Sequence, residues 1–157
     1  MTKREYEITD INTILTILDR CKIIHLALCD GNLPYVLPMN YGYIYENNTL
    51  IFYLHGAKEG HKYDIIRKNP NVSFEMECDV VPFEGKTSCQ YGMSYSSVFG
   101  NGTAVIIDDA EEKIKSLSVL MKTQTGQNFE FNEKLASIVN VIKITVTNFS
   151  AKRRPIP

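Results

Sequence analysis

The residues with the clearest chemical possibilities sit in one stretch, Leu50 to Pro70, LIFYLHGAKEGHKYDIIRKNP. A β-rich run, Leu50 to Leu54, ends at a small-residue corner, His55-Gly56-Ala57-Lys58-Glu59-Gly60. A helical segment, His61 to Asn69, follows and is stopped by Pro70. The first amides of a helix have no intrahelical partner and carry partial positive charge, so they attract an anion. Gly56 and Gly60 allow close backbone approach, and Lys62 adds a full charge on a flexible stem. This arrangement suits a phosphate. It is neither a Walker loop nor a dinucleotide fingerprint, because GxxxxGK[ST] and GxGxxG are both absent. Taken blandly, the same residues make an ordinary strand-to-helix connection with a solvated lysine.

Little else in the chain is poised for reaction. There is no GxSxG, no catalytic Cys/His signature and no pair of carboxylates in recognisable context. The histidines, His25, His55 and His61, show no HExxH or other ligand spacing, so no metal site is expected. His25 is expected to be a hydrogen-bonded core residue. Four cysteines, Cys21, Cys29, Cys78 and Cys89, form no CxxC pair and are expected to be reduced thiols. Nine tyrosines and seven phenylalanines could line a flat aromatic ligand, or simply fill a core.

Alternation and turn signals define the scaffold. Asp10 caps a helix carrying Ile11, Ile14, Leu15 and Leu18, ending near Arg20. Lys22 to Cys29 reads as a strand with Ile24, Leu26 and Leu28 on one face. Asp30-Gly31-Asn32 is a hairpin turn, and a strand over Tyr35 to Tyr45 follows, with Pro38 marking an edge, bulge or break. Glu46-Asn47-Asn48 turns into a third strand, Thr49 to Leu54, so the three strands read as an antiparallel meander. Asn71 to Cys78 alternates as a half-buried strand, and Val80 to Ser88 reads as a loop. Cys89 to Ile107 is β-rich, interrupted by Gly100-Asn101-Gly102. Asp109 caps a helix over Ala110 to Thr123, a short helix falls within Asn132 to Val139, and Val141 to Thr147 is the last strand. The basic tail SAKRRPIP reads as a partly mobile, solvated end. Hairpins rather than βαβ units bring in the strands, which indicates a mainly β fold, an antiparallel barrel with flanking helices.

The 157 residues fit one domain spanning 1–157, with 44% hydrophobic and 22% charged residues. A net charge of −1 argues against nucleic acid as a partner. No apolar run is long enough to span a bilayer, so no membrane partner is expected. The polar N-terminus MTKREYEITD is unlike a signal peptide, so the expected location is cytoplasmic.

Four segments, taken together, resemble one family. LIFYLHGAKEGHKYDIIRKNPNVSFE, the hairpin LCDGNLPYVLPMNYGY, Tyr95 to Gly102 (YSSVFGNG) and the closing VIKITVTNFSAKRR are similar in order and spacing to the pyridoxamine 5′-phosphate oxidase-like FMN-binding split barrels. The similarity is strongest to the nitroimidazole-resistance (Nim-type) branch. It implies an FMN-binding homodimer that passes electrons from a reduced nicotinamide to a small acceptor such as a nitroaromatic. A flavin- or haem-binding module without turnover is the alternative. By the resemblance, Met39, Asn40 and Tyr41 lie along the flavin ring, and His55, Gly56 and Ala57 pass beside the ring and ribityl chain. Gly60, His61 and Lys62 hold the phosphate, Ser97 and Val98 meet the flavin, and Lys152 approaches from the tail. His55 is the candidate for a group facing substrate. The family's oxidases use an arginine-rich strand and a C-terminal Arg-x-His, where this chain has PMNY and no such pair. Pyridoxamine phosphate oxidation is therefore not expected. The branch often has serine where this chain has Gly56, and glycine where it has Ala151.

Overall fold

The computed structural model describes residues 4–157. Met1 to Lys3, part of the polar N-terminal stretch, lie outside the described residues. The strands are β1 (Glu7–Ile8), β2 (Ile24–Asp30), β3 (Leu33–Met39), β4 (Tyr41–Glu46), β5 (Thr49–Ala57), β6 (Asn71–Phe83), β7 (Gly92–Ile107) and β8 (Val139–Arg154). The helices are α1 (Ile11–Arg20), α2 (His61–Lys68), α3 (Ala110–Thr125) and α4 (Glu133–Ala136).

All ladders are antiparallel, and the strands run β3-β2-β6-β7-β8-β5-β4, with β1 added to β8. The ends of that path, β3 and β4, are consecutive in the chain with only Asn40 between them. They do not pair, so the expected three-strand meander is corrected. β2–β3 and β4–β5 are separate hairpins at opposite ends of an open sheet. The sheet curls enough for its interior to close. The rings of Phe52 on β5 and Phe74 on β6 meet edge-on at 5.0 Å, although two strands lie between theirs in the path. Tyr41 adds its ring to Phe52 at 5.5 Å. Turn chemistry explains both hairpins. Gly31 has φ +62°, and Asn47 and Asn48 both take positive φ, as a two-residue hairpin turn needs.

The alternation of β2 holds as expected: Ile24, Leu26 and Leu28 are buried. Its other face differs. His25 is a half-exposed residue on the outside of the barrel, not a core histidine. Three strands also run further than their residues suggest. β5 continues through His55-Gly56-Ala57, which pair with Val141, Asn140 and Val139, so these residues are strand and not corner. β6 continues to Phe83 past a register shift between Cys78 and Val81. β8 continues through the basic tail to Arg154, whose neighbours Tyr95 to Ser97 hold it in place. Local composition favoured a loop in each case, and a waiting ladder partner decided otherwise.

α1 lays Ile14, Ile17 and Leu18 into the core, and Asp10 caps it by accepting from Thr13 N at 2.8 Å. Tyr41 Oη donates to the Leu18 carbonyl at 2.5 Å and lies 3.2 Å from that of Cys21, which ties the end of α1 to β4. α3 covers the other side of β4. Gln124 Nε2 donates to the Tyr41 carbonyl at 2.7 Å, and Tyr43 N donates to Thr123 Oγ1 at 3.3 Å. An edge strand's free backbone groups are thereby satisfied. Among the described residues no helix is long and apolar enough to cross a membrane.

Candidate functional site

The connection between β5 and α2 forms the site. Gly60 sits at φ +151° and ψ +147°, a conformation open to glycine almost alone, and turns the chain from loop into helix. Being glycine, it supplies no side-chain cap to the first amides of α2. Asn140 Nδ2 donates to the Lys58 carbonyl at 2.6 Å and holds the approach to the helix. Tyr63, Ile65 and Ile66 bury one face of α2 in the core. Arg67 and Lys68 complement the last turn, and Asn69 N closes it on the Ile65 carbonyl at 2.8 Å.

Three polar groups at this place stand without partners. Tyr63 is 1% exposed, yet its hydroxyl has no hydrogen bond, and neither does the buried Nδ1 of His55. Lys62 has no carboxylate partner among the described residues; its ammonium lies 4.4 Å from the centre of the Tyr63 ring. A Cβ at Gly56 would lie 2.8 Å from Tyr63 Oη and 3.3 Å from Lys62 Nζ, so Gly56 leaves the space that Tyr63 and Lys62 face, whereas His55, its strand neighbour, faces the other side of β5. Buried polar atoms are normally satisfied, and an orphaned hydroxyl beside a cation with no carboxylate partner marks a place for a polar ligand. A depression of about 430 Å³ opens at the helix start, lined by Lys58, Gly60, His61, Asp64 and Arg67. Tyr63 also lines it, whereas larger depressions of about 630 Å³, between α1, β4 and α3 and around Arg20 and Asp79, are lined by neither Tyr63 nor His55.

The other singled-out residues fall into two places. Tyr41 pairs with Leu54, so Met39, Asn40 and Tyr41 run beside the end of β5 that carries His55. Met39 and Tyr41 are buried and Asn40 is exposed. The Tyr41 hydroxyl is spent on α1 and its carbonyl on Gln124. The His61 ring is likewise committed: its Nε2 lies 2.6 Å from Asp30 Oδ2, and Tyr35 meets it edge-on. Only the His61 backbone amide faces the helix start.

Ser97 and Lys152 are elsewhere, side by side on β7 and β8. Lys152 Nζ lies 5.7 Å from the centre of the Tyr95 ring. Val98 is fully buried, so it and Ser97 face opposite sides of their strand. On β8, Lys152 is separated by twelve residues from Asn140, the partner of Gly56. That is up to about 40 Å of strand. The two places stand near opposite ends of β8. Tyr63 was the site residue that spacing missed. Its signal was a hydroxyl-bearing aromatic on the apolar face of the helix, three residues after Gly60, which needs a partner once buried.

Burial pushes the His55 imidazole below the ordinary histidine value, so the folded chain takes up its proton less readily than the unfolded chain. Just below that ordinary value the unfolded chain binds the extra proton and the folded chain does not. Stability therefore falls as pH drops through this window. We expect His55→Gln to flatten the loss between about pH 7 and about pH 5, read by urea unfolding at stepped pH. An unchanged slope would show that another group causes it.

A model of the pyridoxamine 5′-phosphate oxidase family matches residues 10–153. The chain belongs to this family. It is similar over 94% of its length to a candidate 5-nitroimidazole antibiotic resistance protein of Bacteroides thetaiotaomicron, with 30% identity, a TM-score of 0.78 and 86% of that chain covered. The fold also matches the FAD and heme binding protein of Mycobacterium smegmatis, with 15% identity, a TM-score of 0.82, and 96% and 74% of the two chains covered. A flavocytochrome of Azotobacter vinelandii matches with 18% identity, a TM-score of 0.78, and 99% and 73% coverage. No curated protein sequence matches the chain. The open, curled antiparallel sheet is thus the split barrel that the four sequence segments implied.

Proposed function

We propose that the chain is an FMN-binding flavoprotein that moves electrons from a reduced nicotinamide to a small acceptor, of which a nitroaromatic is one example. The observation that carries this is the pair at the β5–α2 connection, the unpartnered Tyr63 Oη and the unpaired Lys62 beside an uncapped helix start. A phosphorylated, partly aromatic ligand with donors and acceptors fits that set. Lys62 and the amides at the start of α2 supply positive charge for the phosphate. Tyr63 supplies a hydroxyl donor, and His55 on β5 has an open ring nitrogen. The fit is to the family, since relatives of this fold bear the names of flavin-binding proteins.

Bound FMN would supply the redox chemistry, and the chain would supply binding, orientation and shielding from water. No side chain in the site is needed as a strong acid or base. Ser97, Val98 and Lys152 enter the reading through a second copy. If they serve the same ligand as His55 and Lys62, they come from the partner of a homodimer, because one chain separates them along β8. Reduced nicotinamide and acceptor would then enter between the subunits.

The test is a visible spectrum of the purified protein before and after adding FMN, then riboflavin, followed by gel filtration. Flavin bands that survive filtration with FMN and not with riboflavin support the site and its phosphate anchor. A protein that stays colourless with both refutes the reading. A Soret band instead would move the assignment to haem. With FMN bound, oxidation of a reduced nicotinamide that depends on a nitroaromatic separates an enzyme from a binding module.

A further inference from the structure

The outer face of the barrel carries a side-chain cluster that neither the fold nor the flavin site uses. His25 on β2 stands directly opposite Glu75 on β6, and Glu77 follows on the same face, with Met76 between them turned into the core. His25 Nδ1 lies 3.3 Å from Glu75 Oε2 and 3.4 Å from Glu77 Oε2. One ligand atom from each of the three lies within 4.8 Å of the others. On the far side of His25 its ladder neighbour is Pro38, which offers neither charge nor N–H to compete.

The charges around this cluster are unbalanced. Arg20 is taken by Asp79, Lys22 donates to the Asp19 and Thr123 carbonyls, and Lys152 lies over Tyr95. Among the described residues no lysine or arginine pairs with Glu75 or Glu77. Two carboxylates facing one imidazole gain most from a cation of higher charge.

We propose that His25, Glu75 and Glu77 form a binding site for a divalent first-row transition-metal ion. Bonds of about 2.0–2.2 Å at tetrahedral angles place ligand atoms about 3.3–3.6 Å apart. The two nitrogen–oxygen separations, 3.3 and 3.4 Å, fall in that range with the residues in place. One imidazole with two carboxylates suits zinc, cobalt, manganese or ferrous iron better than calcium or magnesium, which prefer oxygen alone. The three side chains are 40, 42 and 41% exposed, so an ion can enter from solvent and keep water in its remaining positions. Once bound, it ties β2 to β6. The site adjoins the flavin reading, since Glu77 pairs with Ser97 and Ser97 with Lys152, but it does not depend on that reading, and its test uses no flavin.

The test is calorimetric titration of the metal-free full chain with zinc, together with absorption spectra on adding cobalt. The expected result is one site per chain, with His25→Ala, Glu75→Gln and Glu77→Gln each lowering zinc affinity by at least about 10-fold. Zinc should raise the melting temperature of the parent and not of the variants. The two glutamine variants keep side-chain shape, so a folded protein that no longer binds zinc supports the ligand roles. The cobalt spectrum should show ligand-field bands without sulfur charge transfer. Sulfur bands would assign the ion to the exposed Cys29 or Cys89 and overturn the proposal. Absence of stoichiometric binding, or unchanged affinity in all three variants, would overturn it too.

Discussion

Lys62→Ala lowers the affinity for FMN by about 10–150-fold and leaves the affinity for riboflavin unchanged. A hydrogen bond to a charged group contributes about 1.5–3 kcal/mol, and each 1.4 kcal/mol is about tenfold in affinity. Lys62 belongs at the upper part of that range for a structural reason. It is half-buried, has no carboxylate to return to, and rests only on the face of Tyr63. Its charge therefore does not have to leave another ion pair to meet a phosphate. The riboflavin arm makes the result specific, because that ligand carries the ring and ribityl chain without the phosphate. Equal loss for both ligands would mean that the substitution disturbed Tyr63 or Gly56, not a phosphate contact. Unchanged affinity for both would remove the role of Lys62. Raising the salt should weaken FMN binding in the parent more than in the variant.

Gly42→Ala lowers the melting temperature by about 6–12 °C and loosens the side of the barrel that holds Asn40 and Tyr41. A Cβ at Gly42 would lie 2.3 Å from Leu120 Cα and 2.5 Å from Leu120 N. These are backbone atoms of α3, so no rotamer change relieves the contact. The helix must move away from β4 or the strand must bend. Overpacking of a filled interior costs about 1–3 kcal/mol, and more where backbone is struck. A cost of about 3 kcal/mol gives the stated shift for a chain of this size. Moving α3 also lengthens the Gln124–Tyr41 and Thr123–Tyr43 hydrogen bonds, which now stand at 2.7 and 3.3 Å. The measurement is a thermal unfolding scan with and without FMN. An unchanged melting temperature would mean that α3 shifts at no cost and that the close packing on β4 is not a source of stability.

The two substitutions separate what binds from what positions. Lys62 offers charge at the mouth of the site and its loss should leave the fold alone. Gly42 touches no ligand, yet it allows α3 to seal the edge of β4, and β4 carries the backbone that runs beside His55. A variant that melts early and also loses FMN in proportion would connect that seal to the site. A variant that melts early and still retains FMN would confine the effect to packing.

Much of the site and scaffold was legible in the residues. Local rules were enough where the physics was local. Asp10 and Asp109 cap helices, Gly31 and Asn47-Asn48 turn hairpins, and Gly60 starts α2 with open amides beside Lys62. The alternation of β2 gave its buried face, and the hairpin order gave an antiparallel barrel instead of a parallel sheet. Four short segments in order were enough to indicate the family.

Contacts between residues far apart in the chain were decided by the tertiary structure alone. β5, β6 and β8 outran their local signals because neighbouring strands offered ladder partners, and such pairing leaves no mark within a short window. β3 and β4 look like one strand in sequence, but β3 pairs with β2 and β4 with β5, so they become the two edges of the sheet. His25 sits among apolar residues and reads as core. Its period-two position places it outside, where it meets Glu75, fifty residues on. The Tyr63 hydroxyl became significant only when β5 and α2 folded together and left it buried without a partner. Spacing showed which residues could carry charge and turn the chain. Only the packing showed which of them remain unpaired, because satisfaction of a polar group depends on every element that surrounds it.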